Sequence, residues 1–453
     1  MAHITDVRCI DTSTTSGAGA LAVSGAGVPG YRPINDAERP DGSAIQVGDT
    51  FLGYVEAVDA SGNASADGGG SVFECGLCTY TAANEVTVTV PFRSSNGNAK
   101  VNWAAGATKR VGITMLDGGI LAAAPSANQN DYNAGSLGNL IACKGLCLSI
   151  TTSLKLTGLA ATYDGHEIVL ANSSTDFLLW LEHQNPASAA ANRFDLPNGF
   201  PFFLMPGDRI TLRYSSISSR WQAINASCDI SKMGLTEFTD FIGGTLGMFT
   251  STVSGTGASA QSSTYLVNTT ERPSGVVQID TGTTATGRAT LGNAGAGDIV
   301  PTLGCALSVA RLAAEAANSG TETWQLISGF ADSAGGTFTD GVAWNLRWNG
   351  SAAEWSQDRL SNAVATRSVV GSPTPDTNYI WLVVFVNANW TRADFIFSTD
   401  SVSFTKADSP TTGLPGSARP TSWVAASLIK SVGTTQRNAS VDLAGNRVDY
   451  VRG

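Results

Sequence analysis

The chain has 453 residues, 42% of them hydrophobic and only 14% charged, with 50 glycines against the roughly 7% of an average protein. Ser, Thr, Asn, Ala and Gly fill the place of the missing charge, a composition of short strands joined by turns that argues against long amphipathic helices, and the length predicts three domains. A formal net charge of −10 with scattered Lys and Arg excludes nucleic acid as a partner, and no run approaches the roughly 20 apolar residues of a membrane span, so a soluble chain without membrane insertion, made in the cytoplasm, is expected.

Residues 1–115 alternate apolar and polar positions between Gly-rich turns, the period of half-buried strands. In EVTVTVPF, Val86, Val88 and Val90 face one way and Thr87 and Thr89 the other, and Pro91 stops the ladder. Residues 116–147 lose both periods and read as a linker, or as an arm able to pack on a neighbouring subunit. Residues 148–225 hold several short strands, enough for a small β-sandwich or barrel. The near-continuous apolar run Phe177 to His183 predicts burial on both faces, or against another chain. Residues 226–241, with Met233, Leu235 and Phe238 at helix-like spacing, read as a short helical connector. Residues 242–453 return to strands between long Gly/Ser/Thr loops and predict one large two-sheet sandwich, with a helical turn at Ser308 to Asn318. The fold class is therefore all-β, three sandwich or barrel domains in series.

Chemistry is sparse. Three histidines occur: His3 at a terminus, and His166 and His183 at strand ends, where a polar structural role fits better than a general base. No nucleophile elbow, zinc-protease helix, P-loop or dinucleotide fingerprint appears, so no enzyme and no cofactor is expected. Asp332 and Asp340 form a carboxylate pair that could flank a glycosidic bond, the remaining route to catalysis. Among seven cysteines, Cys75 with Cys78 and Cys143 with Cys147 have the spacing of two half zinc sites; buried thiols and a disulfide are the alternatives. In VAWNLRWNG, Trp344 and Trp348 share one strand face, with Trp355 past the next turn, while Asn345, Arg347 and Asn349 take the other. Trp344, Trp348, Trp355, Trp390 and Asn349 are the candidate ligand-binding residues: indoles stack on sugar rings while amides read hydroxyls, unless the indoles form the core.

The middle unit resembles a domain of tailed-bacteriophage tail fibre and related virion proteins. The likeness lies in Leu156 to Leu159, the turn Asp164 and Gly165, Ala191 to Phe194, Leu212 to Tyr214, and Arg220 with Trp221. The first unit is similar to N-terminal domains of phage minor structural proteins through Ser94 to Trp103. The last is similar to concanavalin-like jelly rolls at fibre ends through Asp280 to Gly292 and Arg447 to Tyr450. The resemblance implies a virion appendage subunit, a homotrimer joined to other virion structural proteins. Its N-terminal unit anchors it, its middle unit is a spacer, and its jelly roll meets a host surface glycan or protein. A capsid or neck decoration protein and a polysaccharide depolymerase are the alternatives.

Overall fold

The computed structural model of the chain describes residues 3–4, 9–39, 42–58, 72–96, 99–104, 107–113, 119–133, 140, 143–227, 232–239, 250–263, 276–292, 304–314, 322–332, 339–370, 373, 378–416 and 421–451. Their regular structure is strand, broken only by short 3-10 turns.

The first sheet is built between His3 and Ile113. Its order is Ile10–Ser13, Thr108–Ile113, Thr50–Val58, Phe73–Ala82, Glu85–Ser94 and Leu21–Ala22, with His3–Ile4 parallel to the start of Thr50–Val58. Phe73–Ala82 alternates half-buried and buried positions almost without a break, as a strand with one core face must. Phe51, Val55, Cys78, Val86 and Val111 sit at the centre of this unit's core.

The middle unit packs a six-stranded sheet on a three-stranded one around a Leu-rich core with Phe194, Tyr214 and Trp221. Here the linker expectation for 116–147 is corrected. Gly119–Ala123 and Cys143–Leu148 are parallel neighbours in the six-stranded sheet, and Cys143–Leu148 runs parallel to Glu167–Asn172. Parallel strands cannot be joined by a tight turn and need a crossover of a dozen or more residues, which is why the intervening segment is long and lacks period. Its described part lies on its own unit, bridging Gln129 to Leu156 and Tyr132 to Leu159.

The last unit is a jelly-roll sandwich of an eight-stranded and a seven-stranded sheet. Between them lies a core containing Trp324, Trp344, Trp355, Trp390 and Trp423. Two helical expectations fail in it. The segment expected as a connector forms the strand Lys232–Thr239, antiparallel to the closing strand Asn438–Val451. Thr236, Phe238 and Thr239 favour a strand and Gly234 disfavours a helix; the ladder partner, some 200 residues away, decides the matter. Ser308 to Asn318 is likewise strand in its described part, within Ala306–Ala314, hydrogen-bonded on both sides to Ile380–Val386 and Asn438–Val451. Helix propensity of Ala yields to burial on both faces of a central strand.

The middle and last units share a second core. Leu178, Trp180 and Met205 from the middle unit pack on Leu307, Val309, Trp381, Val383, Phe385, Ile396 and Leu443 of the eight-stranded sheet's outer face. This explains two continuous apolar runs at once. In Leu179–Leu181, Leu179 and Leu181 face the middle core while Trp180 faces the jelly roll. In Ile380–Val386, Ile380, Leu382, Val384 and Val386 face the sandwich core while Trp381, Val383 and Phe385 face the middle unit. The expected two-sided burial of Phe177 to His183 holds, but the cover comes from the same chain. The run therefore needs no second chain to cover it.

Polar contacts lock the same interface. Arg447 pairs with Asp208 through two nitrogens, at 2.5 and 2.7 Å. Buried Glu182 accepts hydrogen bonds from the Phe404 backbone N–H (2.7 Å) and Trp180 Nε1 (3.2 Å), and it faces Lys155 Nζ at 3.2 Å. Burial raises the Glu182 pKa, and Lys155 offsets this only in part.

Candidate functional site

The residues that carry the phage resemblance prove to be shape-holding. Trp221 is fully buried and donates its indole N–H to Leu159 O at 3.1 Å. Asn192 Oδ1 accepts from the Ala161 backbone N–H at 2.8 Å, and Asp164 Oδ1 from that of Ser216 at 2.6 Å. Gly158 is required by close approach: a Cβ there would stand 2.4 Å from Asn192 O. His166 and His183 are structural as well. His166 lies between Cys143 O and Thr162 Oγ1, with burial lowering its pKa, and His183 Nδ1 accepts from the Leu196 backbone N–H at 3.0 Å.

The zinc and carboxylate candidates are corrected by geometry. Cys75 and Cys78 are three apart on one strand, so the pleat sends them to opposite sides, half-buried and buried, in the first unit. Cys143 and Cys147 belong to the middle unit, where burial pushes the Cys143 thiol up to about 11. No cluster of three metal-ligating side chains occurs among the described residues. Asp332 and Asp340 are engaged with backbone: Asp332 Oδ1 accepts from the Thr339 N–H at 3.0 Å, and buried Asp340 accepts from that of Asn362 at 2.9 Å.

The indoles divide in two. Trp344, Trp355 and Trp390 are 0%, 3% and 2% exposed in the sandwich core, and Trp344 donates to Val383 O at 3.1 Å. They are not a ligand platform, because the pleat that puts Trp344 beside Leu346 and Val342 points all three between the sheets. Trp348, at the strand's end, is only partly buried. Its indole N–H is turned inward without a partner and is unavailable to a ligand.

Trp348 lines a cleft of about 260 Å³ at the end of the seven-stranded sheet, with Thr323, Trp324, Gln325, Arg347, Asn349, Glu354 and Ser431. Asn349 belongs to it, but its Oδ1 is occupied by Ser351 and the Ala352 N–H, which close the turn between Gly341–Trp348 and Ala353–Ser361. The hairpin register sets Arg347 directly opposite Glu354. Arg347 makes no hydrogen bond or ion pair among the described residues. Burial and the charge of Arg367 pull its pKa below the ordinary guanidinium value, against the opposing carboxylates of Asp358 and Glu354.

Beneath the cleft a polar chain runs along the sheet's outer face. Gln325 Oε1 accepts from Asn345 Nδ2 at 3.3 Å, and the same nitrogen donates to Asp358 Oδ2 at 2.7 Å. Arg367 grips Asp358 with two bonds, 2.8 and 3.0 Å, and Ser356 Oγ adds a third at 2.8 Å. Burial alone would raise the Asp358 pKa, yet the Arg367 and Asn345 hydrogen bonds and the Arg367 charge hold it below the usual carboxylate value. Buried polar groups need such satisfaction, and Asp358 receives it, whereas Asn345 Oδ1 is buried without a partner among the described residues.

No protein-family model matches the chain, and no curated protein sequence matches it. Solved structures similar to it include a protein of unknown function from Shewanella oneidensis MR-1, with 15% identity and a TM-score of 0.37, covering 50% of this chain and 92% of the other. Peanut lectin has 9% identity and a TM-score of 0.33 over 49% of this chain and all of its own. The CBM2 module of the evolved Dit protein of Lactobacillus casei BL23 phage J-1 has 10% identity and a TM-score of 0.33, over 49% of this chain and 99% of its own. Among the described residues no helix is long and apolar enough to cross a membrane.

The sequence missed Thr323, Trp324, Gln325, Glu354 and Ser431. The signal for Glu354 was present: a turn centred on Gly350 and Ser351 pairs 348 with 353 and 347 with 354 by counting outward. The other four come from strands distant in sequence.

Proposed function

We propose that this chain is a structural subunit of a tailed-phage virion, a fibre-type appendage. Its N-terminal unit joins other virion proteins, and its last unit binds a host surface glycan without chemistry. The observation that carries the binding half is the cleft at the end of the seven-stranded sheet. A guanidinium with no hydrogen-bonding partner among the described residues, a facing carboxylate and a half-buried indole line one small concavity there. Polar groups converging in a concave site are what small-ligand recognition requires.

The assembly half is supported by the resemblance of residues 156–221 to tail fibre domains, and by the core shared between the spacer and the jelly roll. A homotrimer rests on the resemblance alone. The backbone contacts of Asp332 and Asp340 weigh against this pair as the carboxylates of the depolymerase reading.

Two experiments test the proposal. Gold-labelled antibody against the last unit should mark the distal tips of fibres on intact particles, and label over the head shell would make this a decoration protein instead. Purified chain should adsorb to host cells and leave host polysaccharide uncleaved; turnover of that polymer would overturn the non-enzymatic reading.

A further inference from the structure

Resting on the reading of the cleft as a glycan site, we infer that its ligand is an uncharged pyranose presenting a vicinal diol between Arg347 and Glu354, and not an acidic sugar. The two residues are cross-strand partners, a placement that brings Cβ atoms to within roughly 4.5–5.5 Å and normally lets opposite charges meet. They form no ion pair, although Arg367 on the next strand over closes on Asp358 with two hydrogen bonds. Donors on one wall and acceptors on the facing wall are thus left open to a ligand.

The charge balance selects the ligand class. Arg347 and Arg367 are matched by Glu354 and Asp358, so the cleft carries no net charge. A uronate or sulfated sugar would gain Arg347 but set its charge against Glu354, and a cationic sugar would meet the reverse. A hydroxyl both donates and accepts, so adjacent hydroxyls satisfy the guanidinium through their oxygens and the carboxylate through their hydrogens. At about 260 Å³ the space lies just below the roughly 300–1,000 Å³ of pockets for drug-sized ligands, which fits one ring at a time. The exposed part of Trp348 offers an apolar wall for the ring's C–H face.

The test uses the full chain on immobilised neutral hexopyranose oligosaccharides, their uronate counterparts of the same linkage, and neutral versions with the diol O-methylated. Neutral sugars should bind, with uronates and methylated sugars at least tenfold weaker. Arg347→Ala and Glu354→Ala should each weaken neutral binding at least tenfold with unchanged melting temperature, and Glu354→Gln should narrow the gap between uronate and neutral. Uronates binding as tightly as neutral sugars overturns the inference. So does neutral binding that survives diol methylation. Host-cell adsorption that is lost in Arg347→Ala while no neutral sugar binds overturns the inference alone and leaves the glycan reading standing. Adsorption unchanged in Arg347→Ala removes the cleft reading itself.

Discussion

The two outer faces of the jelly roll have opposite fates. The eight-stranded sheet turns Trp381, Val383 and Phe385 outward, and the middle unit covers them with Leu178, Trp180 and Met205. Phe200 meets Trp381 edge-on at 5.2 Å. The seven-stranded sheet turns outward a small apolar cluster around Ile327, Ala343 and Val424 at one end, and at the other the Gln325–Asn345–Asp358–Arg367 chain ending in the cleft. An apolar face of this size demands a partner and finds it within the chain, whereas the largely hydrogen-bonded polar face, with Arg347 and Glu354 at its end, needs no such cover. Cohesion thus falls on one side of the sandwich, and the recognition proposed above falls on the other.

The largest effect should come from breaking the covered face. Trp381→Ala empties a buried site between two units and should cost about 3–5 kcal/mol in denaturant unfolding. A loss below 1 kcal/mol would mean that the units are not coupled through this core. Asp208→Ala removes the carboxylate that the largely buried Arg447 grips across the interface and should cost about 2–3 kcal/mol by the same measurement.

Acid should separate the faces by sign. The Asp358 pKa is depressed in the fold, so its stabilisation is present above the unfolded carboxylate value of about 3.9 and is lost as pH falls through the lower folded value. The Glu182 pKa is raised, so its contribution runs the other way: stability rises as pH falls through the folded value. Melting temperatures of Asp358→Asn and Glu182→Gln across pH 3 to 7 check this. Asp358→Asn should flatten the acid loss and Glu182→Gln should steepen it. The smallest stability effect belongs to Arg347→Ala, within about 0.5 kcal/mol of the parent, because a partly exposed side chain without a hydrogen bond holds nothing together.

What was legible in the sequence follows the reach of each signal. Two-residue alternation told that Trp344 and Trp348 share a face, and the unbroken run Phe177 to His183 told of two covered faces. Neither could say which side of a sheet meets water or which unit supplies the cover, since those facts depend on strands far apart in the chain. The strand Lys232–Thr239 was misread because Met233, Leu235 and Phe238 satisfy a helical spacing, while its hydrogen-bonding partner lies at Asn438–Val451. The crossover after Ala123 was misread as a linker because a parallel connection carries no period of its own. Arg347 stood in plain view beside the tryptophans. Its importance emerges only from what it lacks, a hydrogen-bonding partner, and no sequence pattern reports that.

The central claim, one face for cohesion and the other for recognition, is tested most directly by amide hydrogen exchange on the full chain with and without a bound neutral oligosaccharide. Added protection is expected at Thr323 to Gln325, Arg347 to Asn349 and Ser431, with no change at Leu178 to Trp180 or Trp381 to Phe385. Protection confined to the segments of the shared core, with the cleft unchanged, would contradict it.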